Sequence, residues 1–178
     1  APANYGLNPT VFTADIEFAG QVVKLNVTDP VITAGVSIKK TGYAQTMNNN
    51  VMRWTVSGVR NDSTTSLQSF YWRDTLPTDA VRLTRLVTGT YSTTQTYKVT
   101  FTTNLNSQWR TAYDNLSTAK NYTLDMSSAA LGLASNEYVT QFMLSFGIVP
   151  AGFHQLTNAT VDAQTLYALT NGYKFTNK

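Results

Sequence analysis

Residues 51–59 read VMRWTVSGV. In an extended chain, successive side chains point to opposite faces. Met52, Trp54 and Val56 therefore share one side, and Arg53, Thr55 and Ser57 the other. An apolar row backed by a polar row is the signature of a strand with one face on a core. Asn48-Asn49-Asn50 precede the stretch and Asn61-Asp62-Ser63 follow it. Both are runs of residues that bond their own backbone and favour turns.

The same pattern extends in both directions. Residues 21–28 (QVVKLNVT) read as a strand broken by Asp29-Pro30, and 31–41 (VITAGVSIKKT) alternate from Val36 onward. There Val36, Ile38 and Lys40 share one face, with Ser37 and Lys39 on the other. Residues 67–76 form a strand ended by Pro77. Residues 80–88 and 95–103 read as a hairpin pair joined through Gly89. Residues 138–146 are apolar on both faces, as a central strand would be, and Gly147 and Pro150 close it. Residues 159–168 fit strand or helix, and 172–177 make a last strand. The best helical spacing lies at 107–117, where Trp109, Ala112, Tyr113 and Leu116 stand at i, i+3, i+4 and i+7 behind a capping Asn106 or Ser107. Residues 127–134 offer a further short helical turn. The expected fold is all-β: an antiparallel β-sandwich of about nine short strands with a short helical insertion. Residues 1–30 are expected to be a linker or an added strand, and 31–178 the sandwich module.

Composition narrows the function. The 178 residues are 42% apolar and 12% aromatic, enough for a core. Only 13% are charged, about half of the usual ~25%. Thr and Asn fill the difference and suit polar, uncharged strand faces. There is no Cys, which excludes disulfides, thiolate metal sites and cysteine nucleophiles. A single His leaves no multi-histidine metal centre. No apolar run approaches the ~20 residues of a membrane-spanning helix, so no direct membrane insertion is expected. A net charge of +3 without a dense basic block gives no footprint for nucleic acid. The chain opens Ala-Pro-Ala, which reads as a segment of a longer protein.

No catalytic constellation is legible. His154 sits in a loop-like stretch with no Gly-x-Ser-x-Gly elbow in the chain. Asp74 and Asp79 are an uninformative carboxylate pair, and the ten acidic residues are too scattered for a calcium loop. Neither metal nor cofactor is expected. The five Asn-x-Ser/Thr sequons, at Asn26, Asn61, Asn115, Asn121 and Asn158, follow from composition. Trp54, Trp72, Trp109, Tyr71 and Tyr113 are either core residues or a sugar platform. Three polar residues disagree with their own faces. Lys40 lies with Val36 and Ile38, Asp74 with Phe70 and Trp72, and Asn177 with Tyr173 and Phe175. A buried charge without compensation is too costly to persist, so such groups pair, neutralise or react, unless they sit at strand ends that reach solvent or past a bulge.

Several short motifs carry a resemblance: Lys40-Thr41 ending a strand, the strand running into Asp74-Thr-Leu-Pro77, the stretch YVTQFMLSFGIVPAGF (138–153), and the closing Phe175-Thr-Asn177. In order and spacing, over residues 31–178, they resemble the Cna-like, pilin-type immunoglobulin-like repeat domains of Gram-positive cell-wall surface proteins. The resemblance implies a secreted, wall-attached parent protein whose partners are its own neighbouring domains. It also implies an intramolecular isopeptide bond in which Lys40 is the nucleophile, Asp74 the proton shuttle and Asn177 the electrophile, with Lys39 the alternate to Lys40. Burial favours the neutral amine and the protonated acid that such chemistry needs. The expected function is a structural stalk module, not an enzyme. The alternative is an adhesin domain that binds a glycan or host extracellular matrix.

Overall fold

The computed structural model describes residues 12–14, 17–19, 36–44, 51–77, 80–166 and 175–177, with side chains for 37–41, 51–77 and 80–166. In chain order the strands are β1 (Phe12–Ala14), β2 (Glu17–Ala19), β3 (Val36–Ala44), β4 (Val51–Asn61), β5 (Leu67–Thr75), β6 (Val81–Val87), β7 (Thr90–Tyr91), β8 (Thr96–Thr103), β9 (Arg110–Ser117), β10 (Thr123–Asp125), β11 (Val139–Val149), β12 (Gln155–Thr157), β13 (Ala159–Thr165) and β14 (Phe175–Asn177). Two five-stranded sheets carry the fold, ordered β10-β6-β13-β4-β3 and β2-β5-β11-β8-β9. All pairings within them are antiparallel. Two small ribbons complete the described part, β7 with β12 and a parallel pair of β1 with β14.

Alternation explains why these segments are strands. On β4, Met52, Trp54 and Val56 are buried, while Arg53, Thr55 and Ser57 are partly exposed, as the sequence pattern requires. On β11, Phe142, Leu144 and Phe146 turn inward, between Gln141, Met143 and Ser145 on the outer face. This strand holds the central place in its sheet. The inner rows of the two sheets form one apolar cluster, in the manner of a two-layer β-sandwich. Its aromatic end is held by polar bonds as well as packing. Trp72 Nε1 donates to Tyr91 Oη (3.1 Å), which donates to the Thr88 carbonyl (2.9 Å). Burial pushes the Tyr91 phenol well above its ordinary range and that of Tyr97 up to about 12.

Four sequence expectations change. The 107–117 segment is not a helix: its residues 110–117 are β9, paired to β8. Register shifts between Tyr97 and Val99 and between Val99 and Thr100 interrupt the ladder. Asn115 adopts a positive φ of 52°. These irregularities break the period of two, so Ala112, Tyr113 and Leu116 all reach the core from a strand and imitate helical spacing. No helix occurs among the described residues, and 127–134 form only turns, with Leu131 N bonded to Ser127 O. The 80–88 and 95–103 segments are not a hairpin, because β6 and β8 lie in different sheets. The chain crosses between them through Gly89, at φ 74°. Gly147 does not close its strand but bulges it, and β11 continues to Val149. Of the segment that fitted either state, residues 159–165 are strand β13. The strand expected at 21–28 and the turn at 48–50 lie outside the described residues.

Candidate functional site

Lys40 stands on β3, the edge strand of its sheet, opposite Val56 of β4. A register shift lies between Ser37 and Lys39. Beyond it Lys39 is exposed, whereas Lys40 follows Ile38 toward the core. Asp74 stands on β5 of the other sheet, opposite Phe142 of β11 and on the same inward row as Phe70 and Trp72. The two side chains meet between the sheets. Lys40 Nζ donates to Asp74 Oδ1 at 2.6 Å, with side-chain exposures of 1% and 0%. The Trp54 ring lies over the same nitrogen, 5.4 Å from ring centre to Nζ.

This setting has a defined electrostatic character. Removing both charges from water costs several kcal/mol per ion, about as much as their attraction returns. The pair thus contributes little net stability as an ion pair. Losing either one removes the opposite charge from a buried group, which is strongly destabilising. A proton moved along the 2.6 Å hydrogen bond turns ammonium and carboxylate into amine and carboxylic acid. The site then holds a nucleophile beside a general acid.

Asn177 is the last residue of β14, in register with Ala14 of β1. Strand β1 in turn lies beside β3, which carries Lys40. Strand β1 thus stands between the final strand and the Lys40 strand as a neighbour of both. The Asn177 side chain lies outside the described residues, as does Asp79.

The remaining candidates separate cleanly. His154 is exposed, with Nδ1 2.9 Å from the Gly152 carbonyl, and its backbone N–H donates to the Ser92 hydroxyl. No cluster of three or more metal-ligating side chains occurs among the described residues. Trp54 and Trp72 are core residues and no sugar platform, whereas Trp109 is exposed and Tyr71 and Tyr113 are half-buried. Asn61, in one of the sequons, is buried and ties its turn together through the Thr65 and Pro150 carbonyls.

Two features escaped the sequence reading. The Trp54 ring over Lys40 follows from the β3–β4 register, which no local pattern reveals. The second is a carboxylate held between two guanidiniums. Asp162 of β13 accepts from Arg53 at 2.6 Å and from Arg85 at 2.7 Å. Burial raises its carboxyl pKa, but the hydrogen bonds and charges of Arg53 and Arg85 outweigh that and hold it below the ordinary value. The three lie in one row across β4-β13-β6. A similar, partly buried bond set, the Thr103 hydroxyl first and then Arg110, lowers the carboxyl pKa of Glu137.

The site and fold define an all-β protein of two facing sheets, bridged through the core by a buried lysine–aspartate pair. Comparison with protein-family models, with curated proteins and with solved structures finds no match to this chain.

Proposed function

We propose that the chain is a structural module of a cell-surface protein, an immunoglobulin-like sandwich locked by a Lys40–Asn177 isopeptide bond whose formation Asp74 promotes. The observation that carries this reading is the buried Lys40–Asp74 pair, 2.6 Å apart and spanning the two sheets. An apolar pair of similar volume is often as stable or more so, so stability alone does not account for this one. The resemblance to Cna-like and pilin-type repeats supplies a role, and β14 ends at an asparagine beside the strand flanking β3.

The step balances without a cofactor. Asp74 takes a proton from the Lys40 ammonium and, as the acid, donates to the Asn177 carbonyl oxygen. The free amine attacks Asn177 Cγ, forming a new C–N bond. The carboxamide C–N bond breaks, the nitrogen departs as ammonia with a proton from the attacking amine, and Asp74 regains its own. One bond forms per chain and no external substrate turns over. The product ties the β3 strand to the last strand, as a disulfide would in a chain with cysteine. Such a module suits a stalk in a secreted, wall-attached protein, with its neighbouring domains as partners.

Protease digestion followed by tandem mass spectrometry tests the bond. The expected product is a branched peptide joining the segment around Lys40 to the C-terminal segment. A digest holding only linear peptides from both segments contradicts the proposal. A branch at Lys39 would reassign the nucleophile.

A further inference from the structure

The outer face of the β2-β5-β11-β8-β9 sheet is not flat. Tyr71 of β5, Ser145 of β11 and Lys98 of β8 stand directly side by side in the ladder. Asp114 of β9 borders the same depression. The middle strand lines it with Ser145, Phe146 and Gly147, and of these Phe146 is turned inward. The depression is a groove of about 440 Å³ running along β11. This is within the ~300–1,000 Å³ of small-molecule sites.

The backbone is irregular at this place on three strands. Gly147, at φ 72°, bulges β11 in the groove floor, where an added Cβ would meet nothing within 4 Å. Ser69 of β5 lines the groove at φ 52°. Asn115, next to Asp114, also has φ 52°. Ser69 and Asn115 are the two non-glycine residues with positive φ among the described residues; Ser69 lines the groove and Asn115 follows Asp114, which does. Left-handed non-glycine residues cost about 1–3 kcal/mol each and gather at functional sites. Bulges likewise re-aim side chains beside sites.

The chemistry of the lining selects the ligand. Lys98 makes no ion pair among the described residues, and Asp114 accepts from the adjacent Asn115 amide (2.8 Å). By contrast Arg53, Arg60, Arg85 and Arg110 are all paired with carboxylates. One ammonium and one carboxylate leave the groove neutral, so it does not select a charged ligand. A carboxylate accepts two hydroxyl donors, an ammonium donates, serine hydroxyls do both, and a tyrosine ring offers an apolar plane with a polar tip. A neutral pyranose, with vicinal hydroxyls and an apolar C–H face, matches that set.

We propose that this groove binds a short neutral saccharide, with the Tyr71 ring against one sugar face and Asp114 and Lys98 on its hydroxyls. The proposal stands apart from the cross-link, since it uses neither Lys40 nor Asp74. The test is an array of immobilised mono- to tetrasaccharides, neutral, sialylated and sulfated, followed by calorimetric titration of retained sugars. The probes are the wild-type chain, Tyr71→Ala, the isosteric Asp114→Asn, and Gln164→Ala on the other sheet as control. Each groove variant should weaken binding at least about tenfold, and the control should leave it unchanged. Asp114→Asn alters an exposed group without changing its size, so its loss of binding cannot be attributed to misfolding if its unfolding midpoint matches wild type. Retention of no neutral saccharide overturns the proposal. So does binding that both groove variants preserve, or binding restricted to sialylated or sulfated sugars.

Discussion

Replacing Asp74 by alanine tests the centre of the molecule. In an unlinked chain the substitution leaves the Lys40 ammonium buried at 1% exposure without its carboxylate, at a cost of about 3–5 kcal/mol. For a domain of 150–250 residues each kcal/mol lowers Tm by about 2–4 °C, so this alone predicts a fall of about 6–20 °C. The substitution also removes the group proposed to promote the bond. A link from Lys40 to Asn177 closes a loop of roughly 140 residues, worth about 5 kcal/mol by loop entropy. Both effects together approach the whole stability of an ordinary domain, about 5–15 kcal/mol. Asp74→Ala is therefore expected to be barely folded. The double variant Lys40→Met/Asp74→Ala separates the two contributions. It removes the stranded charge and should recover about 3–5 kcal/mol, yet remain about 5 kcal/mol below wild type because no bond forms. Thermal and urea unfolding followed by circular dichroism measure all three chains. An Asp74→Ala chain within about 0.5 kcal/mol of wild type refutes the buried-pair argument. A double variant as stable as wild type refutes the contribution of a cross-link.

Other consequences are smaller and independent. The carboxyl of Asp162 has a folded pKa below its unfolded value of about 3.9, so its contribution is present above that value and lost as pH falls through the folded one. Asp162→Asn should lower the urea midpoint at neutral pH and flatten its decline below about pH 4; an acid limb as steep as wild type contradicts this. Gly89→Ala places a Cβ 2.5 Å from the Thr157 carbonyl oxygen at φ 74° and should cost about 1–3 kcal/mol, seen as a lower Tm; an unchanged Tm contradicts it. Tyr91→Phe removes the acceptor of Trp72 Nε1 and the donor to the Thr88 carbonyl. It should destabilise by about 1–3 kcal/mol in chemical denaturation, and a loss under about 0.5 kcal/mol argues that the bonds contribute nothing.

Where alternation was clean, the fold was legible before the structure. The inward row of Met52, Trp54 and Val56 and the inward turn of Asp74 follow from a period of two, and the central position of β11 from apolar residues on both of its faces. Lys40 was legible for the same reason: its parity with Ile38 holds beyond the register shift at Ser37–Lys39. Failures came where the backbone departs from that period. Bulges in the β8–β9 ladder let Ala112, Tyr113 and Leu116 face the core together, which on paper is indistinguishable from a helix. Gly147 read as a strand end, although a lone glycine inside an apolar run equally signals a bulge. The groove was illegible because its lining comes from four strands, and no local pattern gives the register between them. Asp162 was missed for that reason too: Arg53 and Arg85 reach it only through cross-strand pairing.

The intact mass of the folded wild-type chain, by high-resolution mass spectrometry, addresses the central claim most directly. Amide formation between Lys40 and Asn177 expels one ammonia, so the account predicts a mass about 17 Da below that of the sequence, restored to the full value in Asp74→Ala. A wild-type mass equal to that of the sequence contradicts the account and leaves Lys40 and Asp74 an ordinary buried ion pair.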